Sequence, residues 1–249
     1  MSLLEGLAIF AGGLAAGTIN TIVGSGTLIT FPLLLAFGYS PVTANVSNTI
    51  GLVPGSLSGV YGYRRELKGL GRLLLQLTVP SVLGGLVGAV LLLALPERAF
   101  NTIVPLFIAI ALVLVVVGPR LSRALASRPQ HVARHRFALP LALFLCGIYG
   151  GYFGAAQGIL LLAVLGVTLS ASLQEINGIK NGLAMFVNLV AGVVFVIFAE
   201  VAWWPVALIA GGAIVGGQIG AKVGRKLPDS VLRSVIVVVG VLAIVKLLA

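Results

Sequence analysis

Apolar residues along this chain fall into blocks separated by glycine, proline or basic stretches. Eight blocks, near 3–23, 41–63, 73–95, 97–117, 137–156, 174–199, 204–222 and 229–248, are long enough as helices to cross the roughly 30 Å of a bilayer core. Two more, 27–37 and 159–169, are too short to cross comfortably. Each short block follows a glycine-rich break, VGSG at 23–26 and GAAQG at 154–158. The pattern predicts an all-α, polytopic helical membrane protein in which each half carries one glycine-broken, re-entrant or spanning short segment.

The corresponding positions of the short blocks point to an internal repeat. GLAAGTINTIVGSGTLITFPLLLAFG (13–38) sets Gly13, Gly17 and Gly24 against Gly147, Gly151 and Gly158 of GIYGGYFGAAQGILLLAVLG (147–166), at an offset of 134. An amide-bearing helix start follows each short block, TANVSNT at 43–49 and EINGIKN at 175–181. The expected organisation is a first membrane repeat at 1–117, a basic cytoplasmic linker at 118–136 and a second membrane repeat at 137–249. Loop 64–72 is strongly basic, whereas its counterpart near 199–204 holds Glu200 and no lysine or arginine, the basic loop lying instead at 222–228. Basic loops stay cytoplasmic, so equivalent loops face opposite sides and the repeats are inverted. Both termini are then expected outside, with 64–72, 118–136 and 222–228 inside. Inverted repeats with glycine-interrupted short segments point to a secondary transporter with its site near the midplane.

Composition agrees. Of 249 residues 59% are hydrophobic and 9% charged, against roughly 25% charged in a soluble domain, and mean hydropathy is +1.15. The net charge of +10 is concentrated in loops: thirteen of the sixteen basic residues lie in 64–72, 120–136 and 222–233. That is a topology signal, and no aromatic-rich basic module accompanies it, so nucleic acid is not an expected partner. Cys146 is the single cysteine, which excludes an intramolecular disulfide. MSLLEGLAIF lacks a basic leader, so the first block is expected to be a permanent span. His131 and His135 sit beside arginines in the linker, and no cluster has metal-ligand spacing. No Ser/His/Asp constellation lies within the apolar blocks, so neither an enzyme nor a cofactor is expected.

Polar side chains gather at the breaks and on the helices that follow. The candidate substrate-binding residues are Asn20, Thr21, Gly24, Ser25, Gly26, Thr27, Asn45, Asn48 and Thr49 in the first half. In the second they are Gln157, Gly158, Asn177, Lys180 and Asn181. Amides both donate and accept, and helix N-termini after the breaks offer N–H groups and positive dipole ends to an anion. A lysine in hydrocarbon costs at least about 2.5–3.5 kcal/mol, which makes Lys180 a functional candidate. Two readings of it stay open: an anion ligand, or a side chain that snorkels to the interface or pairs with Glu175. Tyr61, Tyr63, Trp203 and Trp204 are expected in the interfacial belts. The glycines at 212, 216, 220 and 224 recur every fourth residue, the signature of close helix packing.

AGTINTIVGSGTLITFPLLLAFGYSPVTANVSNTIGLVPGSLSGVYGYRREL resembles the first half of the sulfite exporter TauE/SafE family, and YGGYFGAAQGILLLAVLGVTLSASLQEINGIKNGLAMFVNLVAGVVF its second half. Gly24, Gly26, Pro32, Ala44, Asn45, Asn48 and Thr49 match the first motif, and Gly154, Gly158, Asn177 and Asn181 the second. The second half departs in having no proline in ILLLAVLG and Gln157 where glycine is common. The resemblance covers nearly the whole chain and is weakest at 118–136. It implies a multi-pass cytoplasmic-membrane exporter of small anions, sulfite or organosulfonates, working by alternating access. An anion channel on the same scaffold and a non-transport membrane subunit are the alternatives, and a homodimer is left open.

Overall fold

The computed structural model describes residues 2–126 and 138–223. The expected tenth segment at 229–248, the loop beyond residue 223 and most of the linker lie outside the described residues. Within them the chain forms nine helices and no strand: α1 (Leu3–Ile22), α2 (Thr27–Ala36), α3 (Pro41–Gly62), α4 (Gly71–Ala94), α5 (Glu97–Ala126), α6 (Ala138–Tyr152), α7 (Gln157–Thr168), α8 (Leu173–Phe198) and α9 (Trp203–Val223). Helix α5 continues into what reads as linker. Five stretches are long and apolar enough to cross a membrane: α1, α4, Arg98–Val117 of α5, α8 and Trp203–Lys222 of α9. Helices α2, α6 and α7 are shorter.

Helix starts follow local chemistry. Ser2 caps α1 in a reciprocal box with Glu5, and Ser172 caps α8 with Glu175 in the same way. Each box satisfies two N–H groups that a helix start leaves without partners. Ser40 caps α3, with Pro41 in the first turn, where a missing N–H costs nothing. Three helix starts thus take their acceptor from a serine, and two of the six acidic side chains are spent on caps.

Small residues set the packing. Where α1 meets α9, a methyl on Gly13 would meet the backbone of Ile209 at 2.7 Å, and one on Gly17, Gly212 or Gly216 would strike the facing helix. Where α4 meets α6, Gly84, Gly88, Gly147 and Gly151 play the same part. Such contacts let backbones approach closely where lipid offers no competing hydrophobic drive. The pairings are reciprocal: α1 packs on α9 as α6 packs on α4, α3 lies on α9 as α8 lies on α4, and α3 and α8 touch each other. The opposite face of α4 presents Leu75, Val79, Leu83, Leu86 and Val90, exposed at three- and four-residue spacing, which is a lipid-facing stripe.

Two expectations need correction. The helices equate Ile22 with Tyr152, Gly24 with Gly154 and Thr27 with Gln157, an offset of 130, not 134. Glycines recur every fourth residue here, so sliding the alignment by one helical turn preserves most glycine matches. Tyr63 is buried rather than interfacial and packs beside Gly178, whereas Tyr61, Trp203 and Trp204 are exposed at helix ends.

Candidate functional site

Both breaks begin with the same backbone device. The N–H groups of Val23 and Gly24 both bond the carbonyl of Ile19, and Gly24 turns to φ +85°. The N–H groups of Phe153 and Gly154 both bond the carbonyl of Tyr149, and Gly154 turns to φ +73°. Left-handed backbone is open to glycine and costs other residues about 1–2 kcal/mol. Ala156, at φ 59°, accepts it without being glycine.

The breaks touch. The Gly158 N–H donates to the Gly24 carbonyl at 3.1 Å, and a methyl on either glycine would collide with the backbone of the other. The N–H expected to be free at the start of α7 is therefore engaged by the opposite half.

Around the start of α2 the polar residues form a cluster. Asn48 Nδ2 donates to Thr27 Oγ1 at 3.2 Å, and the Thr30 hydroxyl donates to Asn48 Oδ1. The Gly26 N–H reaches Asn20 Oδ1 at 3.5 Å. Ser25, only 1% exposed, keeps a hydroxyl with no partner.

Across the end of α1, Lys180 is 0% exposed, and its Nζ donates to the carbonyls of Asn20, Thr21 and Ile22 at 3.3, 3.0 and 3.4 Å. Asn181 Nδ2 donates to the Thr21 carbonyl at 3.1 Å. A helix end leaves such carbonyls without partners and carries a partial negative charge; a lysine here answers both needs. Lys180 neither snorkels nor pairs with Glu175, whose carboxylate is taken by its own cap.

At the end of α6 the cap is neutral. Asn45 Nδ2 donates to the Tyr152 carbonyl at 2.9 Å, and the Tyr149 hydroxyl donates to the Ala155 carbonyl. Gln157 turns back to donate to the Cys146 carbonyl at 3.3 Å. Thr21 spends its hydroxyl on Gly17 of its own helix. Thr49 and Asn177 are buried nearby on α3 and α8, and Asn177 Oδ1 has no partner. Phe31, Phe100, Tyr152, Phe153, Phe107 and Tyr149 stack edge-on or tilted beside the second break, joining α2, α5 and α6.

The candidates therefore gather around one crossing point, divided between the start of α2 and the ends of α1 and α6. Sequence reasoning missed Thr30 and Tyr149. Thr30 lies one helical turn beyond Thr27 on the same face, the available signal. Tyr149 carried none, because its partner is set by the turn. Among the described residues no group of His, Cys, Asp or Glu could hold a metal ion.

The family model for "Sulfite exporter TauE/SafE" matches residues 9–247. The "Probable membrane transporter protein YfcA" of Escherichia coli K12 is 26% identical over 99% of this chain and 90% of its own length. A "Probable membrane transporter protein" of Haemophilus influenzae is 25% identical, covering 96% and 92%. The "Probable membrane transporter protein ORF9" of a Sinorhizobium species is 28% identical, covering 97% and 91%. No solved structure matches the chain.

Proposed function

The chain belongs to the sulfite exporter TauE/SafE family, and on that premise we propose that it exports small sulfur-containing anions, sulfite or organosulfonates, across the cytoplasmic membrane. As a family member it is a multi-pass membrane transporter. The two halves act as inverted repeats that rock about the crossing of the breaks, exposing one site alternately to each side. Reciprocal packing of the halves and opposite placement of their basic loops support the inversion.

The observation that carries the reading is a set of buried polar atoms with no protein partner: the Ser25 and Tyr152 hydroxyls and the Asn45 and Asn177 amide oxygens. Burying an unpaired polar atom costs about 1–3 kcal/mol; Ser56 of α3 and Gln174 of α8 carry such atoms as well, and the four named support a place built for a polar ligand. The hydroxyls donate to oxyanion oxygens; the amide oxygens accept from a protonated oxyanion such as hydrogen sulfite. Electrostatics suits the anion as well. At the first break a negative helix end (α1) meets a positive one (α2), and Lys180 cancels the first while leaving the second. Gly24, Gly26 and Gly158 bring backbone to the site, while Thr27, Asn48, Asn20, Thr21, Thr49, Gln157 and Asn181 hold its walls.

Sulfite efflux from proteoliposomes tests the proposal, comparing the wild type with Ser25→Ala at matched protein density. Expected are saturable wild-type flux and a half-saturation concentration raised at least about tenfold in the variant, the loss of one hydrogen bond to a charged ligand. Without substrate, Ser25→Ala should melt no lower than the wild type and rather higher, because its hydroxyl is buried and bonds nothing in the protein. Flux that never saturates would make the protein a channel. Absence of sulfite and organosulfonate flux from active preparations would reject the substrate class.

A further inference from the structure

Three backbone carbonyls of consecutive residues, Asn20, Thr21 and Ile22, converge on one buried cation, the ammonium of Lys180, at 3.0–3.4 Å. Among the described residues no carboxylate shares in holding it, so the charge is balanced by carbonyl dipoles alone. Oxygen dipoles at an unwinding helix end are the donor set with which transporter sites hold a free monovalent cation. Here the cation is covalently attached to α8, and its attachment spans the two halves of the chain.

We propose that Lys180 is a tethered counter-cation occupying a monovalent-cation site formed by the end of α1. Two consequences follow. The wild type needs no sodium at this position, since its cation never leaves. Truncating the side chain opens the site to free cations, and the carbonyls then bind one from solution. The proposal rests on the placement of Lys180 and is independent of which anion the protein carries.

Lys180→Ala removes three methylenes and the ammonium, the outline of n-propylammonium. Purified Lys180→Ala and wild type are melted in detergent while n-propylammonium, sodium, choline or n-propanol is titrated at constant ionic strength. The variant should melt at least about 5 °C below the wild type. Propylammonium should recover more than half of that shift with a saturable dependence, and sodium should recover part of it. Choline, too large, and n-propanol, uncharged, should recover none, and the wild type should respond to nothing. Equal recovery by n-propanol would reduce the role of Lys180 to filling space and overturn the proposal. Equal recovery by choline, or an equal response of the wild type, would do the same. Should Lys180→Ala fail to fold, Lys180→Gln carries the test. Melting within about 1 °C of the wild type would show that no cation is needed at the end of α1 and overturn the proposal, whereas a loss of about 5 °C would support it. Because melting needs no substrate, absent sulfite flux would leave this result standing.

Discussion

The two breaks share a backbone and differ in charge. Each ends a helix with two N–H groups on one carbonyl, turns at a left-handed glycine and restarts a short helix three residues later. At the first, the exposed helix end is held by an ammonium and an amide from α8; at the second, by one amide from α3. The first short helix begins in a cluster of threonines and asparagine, whereas the second begins with Gln157 folded back onto α6 and an aromatic group alongside. One architectural device has thus been given two chemistries: a polar, charge-compensated side and a neutral, aromatic side. The two breaks keep one backbone geometry while their side chains differ, and on the proposed function that asymmetry would give the site a direction for binding an anion.

The sharpest way to break the comparison is at the glycines. Gly24→Ala combines a φ of +85° with a methyl driven into the Gly158 backbone. Left-handed strain of about 1–2 kcal/mol and overpacking of about 1–3 kcal/mol sum to about 5 kcal/mol at the upper end. Gly154→Ala meets only the Gly150 carbonyl, at 2.9 Å, beside a similar φ, and should cost about 2 kcal/mol. Thermal unfolding in detergent should therefore rank Gly24→Ala well below Gly154→Ala, and reconstituted Gly24→Ala should carry no flux. Equal melting would mean that the crossing of the breaks is not held tightly.

Next come the caps. Lys180→Met keeps an unbranched chain one atom shorter and loses the charge, leaving the Asn20 and Ile22 carbonyls buried without this donor, at about 3 kcal/mol together. Asn45→Ala loses one amide bond to Tyr152, about 1 kcal/mol. The two sites belong to different breaks, so the double variant should lose the sum within about 0.5 kcal/mol. A larger discrepancy in the double-mutant cycle would show that the two ends communicate through the crossing.

These contrasts explain what was legible beforehand. Helix count among the described residues, the short segments and the glycine seams come from local signals: block length, breakers and a four-residue spacing. The register between the halves does not, because that spacing repeats within each helix and a slip of one turn leaves most matches intact. The residues at the crossing were legible as types, since amides and a lysine in apolar surroundings are costly enough to stand out. Their partners were not. Lys180 finds its carbonyls 158–160 residues away, and only the fold decides whether a buried ammonium faces a ligand or a helix end. Tyr63 shows the reverse error: an aromatic at a helix terminus reads as interfacial until a neighbouring glycine, Gly178, makes room to bury it.

The smallest expected effect probes the one place where the second break departs from glycine. Ala156 holds a left-handed φ of 59° and is fully buried. Ala156→Gly would relieve about 1 kcal/mol of backbone strain. It would also remove a buried methyl, worth about 0.8 kcal/mol, and add chain entropy to the unfolded state. These terms nearly cancel, so unfolding should shift by less than about 0.5 kcal/mol, while neighbouring Gly154→Ala remains clearly destabilising. If Ala156→Gly instead stabilised the protein, strain would dominate, and the second break would be held in its turn by surrounding contacts. If it were as harmful as Gly154→Ala, the methyl of Ala156 would be the packing element that keeps Gly158 against Gly24, and the departure from glycine would be part of the crossing itself.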